Sequence, residues 1–306
     1  MSAEKTFDVV VLGGAGIDTN IYLYTDEIDF DVEANFSENI DYIGQAGGYA
    51  ARSYNKLGYK TAYIGFVGND LQGEFIRTQF REDGIDISGL MIDPAGTKRS
   101  INFMYKDGKR KNFYDGKGSM ILQPELALSN KILGKTKLAH VNIINWTRYL
   151  LPLLKRNGVI IASDIQDVVD IEDEYRYDYI LNSDFVFFSA VNFPDPKPVI
   201  EGFLKINVDL KLICGRGSEG CVYADKDRIL DFEAVELDKP VIDSNGAGDS
   251  LAAGFLSSYV MDGFNLEDSI TRGQIAARYC CSLKASTEDL INKQLLNNIF
   301  LNTGNF

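Results

Sequence analysis

Six short apolar runs govern what this chain can fold into: residues 7–12, 61–67, 138–144, 159–163, 185–188 and 211–214. Most are rich in β-branched or aromatic residues, and none alternates cleanly between apolar and polar. A strand that is apolar on both sides belongs to a sheet covered on both faces, the situation of parallel strands joined by helices. Helical patterns lie between several of the runs. Residues 48–57 are rich in alanine and close at Gly58, and residues 71–83 close at Gly84, each glycine suiting the left-handed position after a helix. Alternating strand and helix predicts an α/β fold: a doubly wound, mostly parallel sheet flanked by helices. A chain of 306 residues is long enough for one such domain with a small appendage.

Two segments depart from the pattern. Residues 20–43 are polar and aromatic, and residues 99–114 read as a β-hairpin turning at Asp107-Gly108, a dipeptide suited to the tight turns of hairpins. Together they predict a small antiparallel sheet over the mouth of the large domain. The expected division is a core of 1–18, 44–97 and 117–306 and a lid of 19–43 and 98–116. No repeat and no Pro/Ser-rich linker suggests a string of independent domains.

Composition removes several function classes. The net charge of −13 offers no basic footprint for a nucleic-acid backbone. A local basic cluster, Lys106, Lys109, Arg110, Lys111 and Lys117, reads as the solvated surface of the hairpin, with a local anion site as the alternative. The N-terminal residues carry no signal-peptide pattern, and no apolar run approaches the roughly 20 residues that span a bilayer. Cys214, Cys221, Cys280 and Cys281 form no C-x-x-C pair and read as reduced, mostly buried thiols of a cytoplasmic protein. The single histidine, His140, rules out two-histidine metal sites and reads as a satisfied core residue.

The richest chemistry follows Pro240. Gly246-Ala247-Gly248-Asp249 opens a small-residue run that packs tightly as a helix. Small residues at a helix start leave backbone N–H groups accessible, and with the helix dipole they form an anion site. A transferring phosphoryl group gathers charge on three oxygens and suits such a site. A carboxylate at the same turn, Asp249, is placed to take the proton of an attacking hydroxyl. The plainer alternative is a capped, tightly packed helix.

The longer context resembles the PfkB carbohydrate-kinase (ribokinase) family. Asp243-Ser244-Asn245-Gly246-Ala247-Gly248-Asp249, followed by Ala253-Gly254-Phe255-Leu256, is similar to that family's second signature. The resemblance implies a ribokinase-like fold and ATP-dependent phosphorylation of a hydroxyl on a small sugar or sugar-like acceptor. It further implies Asp249 as catalytic base, Gly246, Ala247, Gly248 and Asp249 as anion hole, and Asp243 beside the K⁺ site that many members have.

Leu12-Gly13-Gly14-Ala15-Gly16-Ile17-Asp18 resembles the family's first strand and turn, with Asp18 in the acceptor-binding place and Gly16 where members commonly carry Asn. Gly44-Gln45-Ala46-Gly47-Gly48-Tyr49-Ala50-Ala51 resembles the first signature and puts Gly47, Gly48 and Tyr49 at the acceptor. Tyr49 replaces the usual Asn; a phenol there reshapes the pocket or stacks on a ring, and turns the reading away from ribose. Residues 65–73 continue the signature. Asn192-Phe193-Pro194-Asp195 is similar to the N-x-x-E motif that organises Mg²⁺ and phosphates, with Asp195 acting through water; on its residues alone it is a turn. Gly215-Arg216-Gly217-Ser218-Glu219-Gly220 resembles the T-x-G-x-x-G stretch beside the nucleotide, Arg216 offsetting the absent threonine hydroxyl. Gln274 falls where many members place an Asn beside adenine, and residues 284–286 line the cation or adenine loop.

Three other readings stand beside this one. Gly14-Ala15-Gly16 begins like a dinucleotide-binding G-x-G-x-x-G, but its third glycine position holds Thr19. The departures at Gly16, Tyr49, Asp195 and Gly215 admit a non-catalytic sugar or nucleotide sensor. Aromatic residues of the lid, Tyr22, Tyr24, Phe30, Phe36, Tyr42, Phe103 and Tyr105, either stack on the base of a nucleoside acceptor or pair across strands. The expected partners are a small-molecule acceptor, with neither nucleic acid nor membrane, and a second copy of the chain through the lids.

Overall fold

The computed structural model describes residues 5–106, 110–285 and 287–303. The hairpin turn at Asp107-Gly108, together with Lys109 and Ser286, lies outside them. Strand β1 (Phe7–Leu12) passes through three residues into β2 (Gly16–Leu23), and β3 (Ser37–Gly44) leads directly into α1 (Ala46–Lys56). Then come β4 (Thr61–Val67), α2 (Leu71–Glu82), β5 (Asp86–Ile92), and the antiparallel pair β6 (Lys98–Met104) and β7 (Arg110–Asp115). Helix and strand next alternate: α3 (Leu126–Leu133), β8 (Thr136–Asn142), α4 (Leu151–Arg156), β9 (Ile160–Asp167), α5 (Glu174–Asn182), β10 (Phe185–Ser189), α6 (Lys197–Ile206) and β11 (Lys211–Gly215). Strands β12 (Cys221–Ala224) and β13 (Ile229–Phe232) precede α7 (Ala247–Leu256), α8 (Leu266–Cys280) and α9 (Lys293–Thr303).

All six apolar runs are strands of one sheet, ordered β13-β12-β11-β10-β9-β8-β1-β4-β5. Pairing is parallel from β5 through β11 and antiparallel for β12 and β13. Strand β4 is buried at every position, as an apolar run with helices on both sides must be. One face packs on α1, α2, α7, α8 and α9 through Tyr54, Ile76, Phe80, Phe255, Ile275 and Leu296. The other packs on α3 to α6 through Ile132, Leu154, Ile180 and Phe203. The small-residue helix α7 lies close against α8: a Cβ on Gly254 would stand 3.0 Å from the Gly273 Cα.

The second sheet is ordered β3-β2-β6-β7. It is mixed, because β2 and β6 run parallel. It takes in residues 16–44 and 98–115, so it begins three residues before the expected boundary at 19. The cause is the brief β1–β2 link, which carries the chain out of the large sheet almost at once. Asp18 therefore sits on a strand of the small sheet. The cysteines among the described residues are unpaired, with Cys214, Cys221 and Cys280 buried. No helix of the described residues is long and apolar enough to cross a membrane.

Candidate active site

The carboxyl ends of the parallel strands are where an open α/β sheet collects its ligands, and helix α7 starts there. Gly246 precedes it with φ 76°, a left-handed conformation that glycine adopts without steric cost. Space makes the same demand, since a Cβ on Gly246 would fall 2.1 Å from Cδ1 of Tyr49. A Cβ on Gly248 would meet nothing within 4 Å, so the turn is open at that point. The first-turn N–H groups and the dipole of this ten-residue helix favour an anion there.

Asp249 lies in the first turn, 9% exposed. Its buried Oδ1 has no hydrogen-bond partner. Burial, and then the neighbouring charge of Asp164, hold its carboxyl well above the usual range, while the Arg110 guanidinium acts the other way. Burial likewise pushes Asp164 up to about 6. His140, Asp164 and Asp249 bring one ligand-type atom each within 4.8 Å of one another. His140 is the satisfied core residue expected: it is fully buried, with Tyr54 Oη 3.1 Å from Nδ1 and Asn142 Nδ2 3.3 Å from Nε2. Desolvation lowers its pKa to about 4, so the ring is neutral.

Asp18 faces this group from β2. It is 6% exposed and accepts from Gln45 Nε2 at 2.6 Å and from the Gln45 N–H at 3.3 Å. Gln45 Nε2 also donates to Ser100 Oγ at 2.8 Å, and Gln45 itself has φ 66°, ψ 155°. Burial raises the Asp18 pKa to about 6 despite these donors. Gly44 allows the close approach, since a Cβ there would lie 2.2 Å from Asp18 Oδ2. Gly47 and Gly48 press α1 onto the β1 turn: a Cβ on Gly47 would stand 2.7 Å from the Gly14 carbonyl oxygen, and the Gly48 N–H donates to that oxygen at 3.2 Å. Gly16 has a plain reason. A side chain there would run into the β6 backbone, 2.6 Å from the Lys98 carbonyl oxygen, so the Asn common in the resembled motif has no room.

Tyr49 is 4% exposed and meets Tyr42 edge to face at 6.0 Å. It supports the Gly246 turn from beneath. Two polar groups at this end were not anticipated. Asn142 Oδ1 is buried without a partner, close enough that a Cβ on Gly13 would fall 2.3 Å from it. Lys98 Nζ is also buried without a partner, its stem running beside Gly14. Each sits on an inward position at a strand end or edge, which period-two alternation could have flagged.

Asp243 is tied to the protein on every side. Its Oδ2 accepts from Asn20 Nδ2 at 2.7 Å and Tyr22 Oη at 3.2 Å, and its Oδ1 from the N–H and Nδ2 of Asn245 at 2.8 and 2.7 Å. Both carboxylate oxygens are thus engaged by donors from β2 and from Asn245. Asn192 donates to the Val168 carbonyl oxygen at 3.0 Å. Asp195 Oδ1 accepts from the Lys197 N–H at 3.0 Å, just before α6, and the carboxylate remains exposed and free to reach a water-held Mg²⁺ ion. Gly217 and Gly220 take φ 59° and 92° in the turn after β11, where Gly215 ends the strand. Arg216 pairs with Glu219 and with Asp231 at 3.0 Å, so its charge is engaged. Gln274 accepts from the Val235 N–H at 2.8 Å and donates to Cys221 Sγ at 3.5 Å, holding the loop after β13 against β12.

This arrangement has relatives. Acarbose 7(IV)-phosphotransferase of Actinoplanes sp. is 28% identical over 294 residues, covering 94% of this chain and 97% of that protein. A 5-dehydro-2-deoxygluconokinase of Photobacterium profundum is 26% identical, with 97% and 95% covered. The solved structure of a microbiome-derived acarbose kinase superposes with a TM-score of 0.89 at 25% identity, covering 96% of this chain and 99% of that one. The family model for pfkB carbohydrate kinases matches residues 8–154 and 188–293, which include the Asp18 clamp, the 192–195 turn and the whole of 243–249. The chain belongs to the pfkB family of carbohydrate kinases.

Proposed function

We propose that this kinase moves the γ-phosphoryl group of ATP to a hydroxyl of a sugar or sugar-like acceptor, with Asp249 as general base. One observation carries the assignment: Asp249 Oδ1 is buried, has no partner, and sits in the first turn of α7 beside the open Gly248. A buried acceptor oxygen without a donor is costly unless a substrate group supplies one, and a reacting hydroxyl does so. Asp18, fixed by Gln45 and Ser100, orients the acceptor's other hydroxyls. Asp249 takes the proton, and the N–H groups of residues 246–249 face the charge that develops on the phosphoryl oxygens. Asp195 holds Mg²⁺ through water; the ion, when bound, neutralises the β- and γ-phosphates. The small sheet covers the pocket and keeps water from the transferring group.

Among the lid aromatics, those engaged within the protein favour a sugar over a nucleoside, while Tyr24, Phe30 and Phe36 stay exposed. Tyr42 and Tyr49 are spent on each other and Tyr22 on Asp243, while Phe103 packs on Phe113 at 5.8 Å. An assay of ATP–Mg²⁺ with acarbose, 5-dehydro-2-deoxygluconate, fructose, ribose and nucleosides tests the reading. Phosphorylated product from one of the sugars is expected. No turnover of ATP with any acceptor would favour the non-catalytic sensor.

A further inference from the structure

The basic cluster at the hairpin divides in an unexpected way. Lys106 pairs with Asp26 at 2.7 Å and Lys117 with Asp115 at 2.6 Å, both at the surface. Lys111 lies opposite Phe103 on the outer face of the small sheet. Arg110 precedes Lys111 on β7, and alternation turns it to the inner face, with Asn112 and Tyr114.

Strand register arranges that inner face in rows. Asp18 lies beside Ser100 and Ser100 beside Tyr114; Asn20 beside Asn102 and Asn102 beside Asn112; Tyr22 beside Met104 and Met104 beside Arg110. The middle row is a chain of amides: Asn112 Nδ2 donates to Asn102 Oδ1 at 2.7 Å, Asn102 Nδ2 to Asn20 Oδ1 at 2.8 Å, and Asn20 Nδ2 to Asp243 at 2.7 Å. Next to it, Arg110 Nη1 donates to Asn245 Oδ1. Asn245 is held from its other side by Asp243 and immediately precedes Gly246. The guanidinium also acts electrostatically on both Asp249 and Asp18, lowering each.

We propose that Arg110 is the cation of the phosphoryl-transfer step, carried to the turn by the small sheet and donating to the oxygens of the transferring group. The inference rests on the kinase reading above. In that step a bond forms between the acceptor oxygen and the γ-phosphorus, the bond from that phosphorus to the departing ADP oxygen breaks, and the hydroxyl proton passes to Asp249. Negative charge then spreads over three oxygens in a place bounded by the carboxylates of Asp18, Asp164 and Asp249. The helix start supplies partial charges only. Beyond the charge that Mg²⁺ would supply, the guanidinium adds a full positive charge from the side of the small sheet, and its fork matches phosphoryl oxygens better than an ammonium does. The amide row ties β7 to Asp243 and so holds Arg110 beside the turn.

The test compares Arg110→Met, Arg110→Lys and the outward-facing control Lys111→Met in the full chain, with ATP–Mg²⁺ and the panel sugar that the wild type uses fastest, acarbose being tried first. Arg110→Met is expected to lower kcat roughly 100- to 1,000-fold, with the KM for ATP changed less than about 3-fold. Arg110→Lys falls between, and added guanidinium ion restores part of the Arg110→Met rate. The acidic limb of its kcat/KM profile moves to higher pH, because Asp249 loses a charge that favours its ionised form. Lys111→Met behaves as wild type. A kcat for Arg110→Met within about 3-fold of wild type, a loss confined to acceptor KM, or an equal loss in Lys111→Met overturns the proposal. Wild type inactive on every acceptor would instead sink the kinase reading, and this inference with it.

Discussion

The two ends of the candidate site are built differently. The phosphoryl end is made of backbone: a left-handed glycine, a helix start and one carboxylate, all within residues 243–249. The acceptor end is made of side chains from β2, β6, β7, β8 and the Gln45 turn, brought together by strand register. Backbone geometry serves any transferring phosphoryl group, whereas side chains on separate strands can change one at a time. On the reading proposed above, the first region, joined by Arg110 from β7, sets the reaction and the other side chains set the acceptor.

The sharpest way to break this contrast is Asp249→Asn. It should lower kcat by about 10²–10⁴-fold with acceptor affinity nearly kept; an equal loss in acceptor affinity would mean the two ends are not separable. Next are the two glycines of the turn. Gly246→Ala meets both the left-handed φ and the Tyr49 ring, and should cost about 10- to 100-fold in kcat or a comparable loss of folded protein. Gly248→Ala, with no protein atom within 4 Å of the added Cβ, should fold as stably as wild type, to within about 0.5 kcal/mol. Matching effects at both positions would refute the account of the turn.

At the acceptor end, Asp18→Asn should raise acceptor KM by roughly 10- to 100-fold, the worth of a charged hydrogen bond. It also has a signature in stability. The folded-state pKa of Asp18 is about 6 against an ordinary 3.8, so between those values the native protein holds a proton that the unfolded chain has lost. Stability from this group therefore falls as pH rises from about 4 to 6 and stays lower above. The wild-type stability minus that of Asp18→Asn should drop by about 3 kcal/mol across the window, as measured by denaturant titration at several pH values. The smallest effect expected is Tyr42→Phe. Its hydroxyl reaches Asn20 at 3.5 Å, and removal should cost under about 1 kcal/mol.

The same contrast explains what could be read from the sequence. Six of the nine strands of the large sheet were legible because each is a local, mainly apolar run; β5, β12 and β13 were not read, β5 and β13 being mixed with polar or exposed residues. The turn at 243–249 was legible because its chemistry lies in seven consecutive residues. Asp18 was found, but not its clamp. Gln45 meets Asp18 across 27 residues and Asn20 meets Asp243 across 223, and no local pattern encodes such partners. Tyr49 could be seen as a departure, but its place beneath Gly246 depends on how α1 packs against α7. The basic cluster could be read only as a whole, as a solvated surface or a local anion site: composition does not tell the two faces of a strand apart, and Arg110 and Lys111 are chemically alike until alternation separates them.

Gln45 has a consequence for how this protein could be changed by selection. A non-glycine residue at φ 66°, ψ 155° stores on the order of 1–3 kcal/mol, and glycine would relax it. Gln45→Gly also removes the Nε2 donor from the buried Asp18, so variants sorted for heat resistance alone should collect it only together with Asp18→Asn, while variants sorted for growth on the acceptor should keep both residues. Position 45 is a place where durability and activity pull the sequence in opposite directions, and one residue records which of them has prevailed.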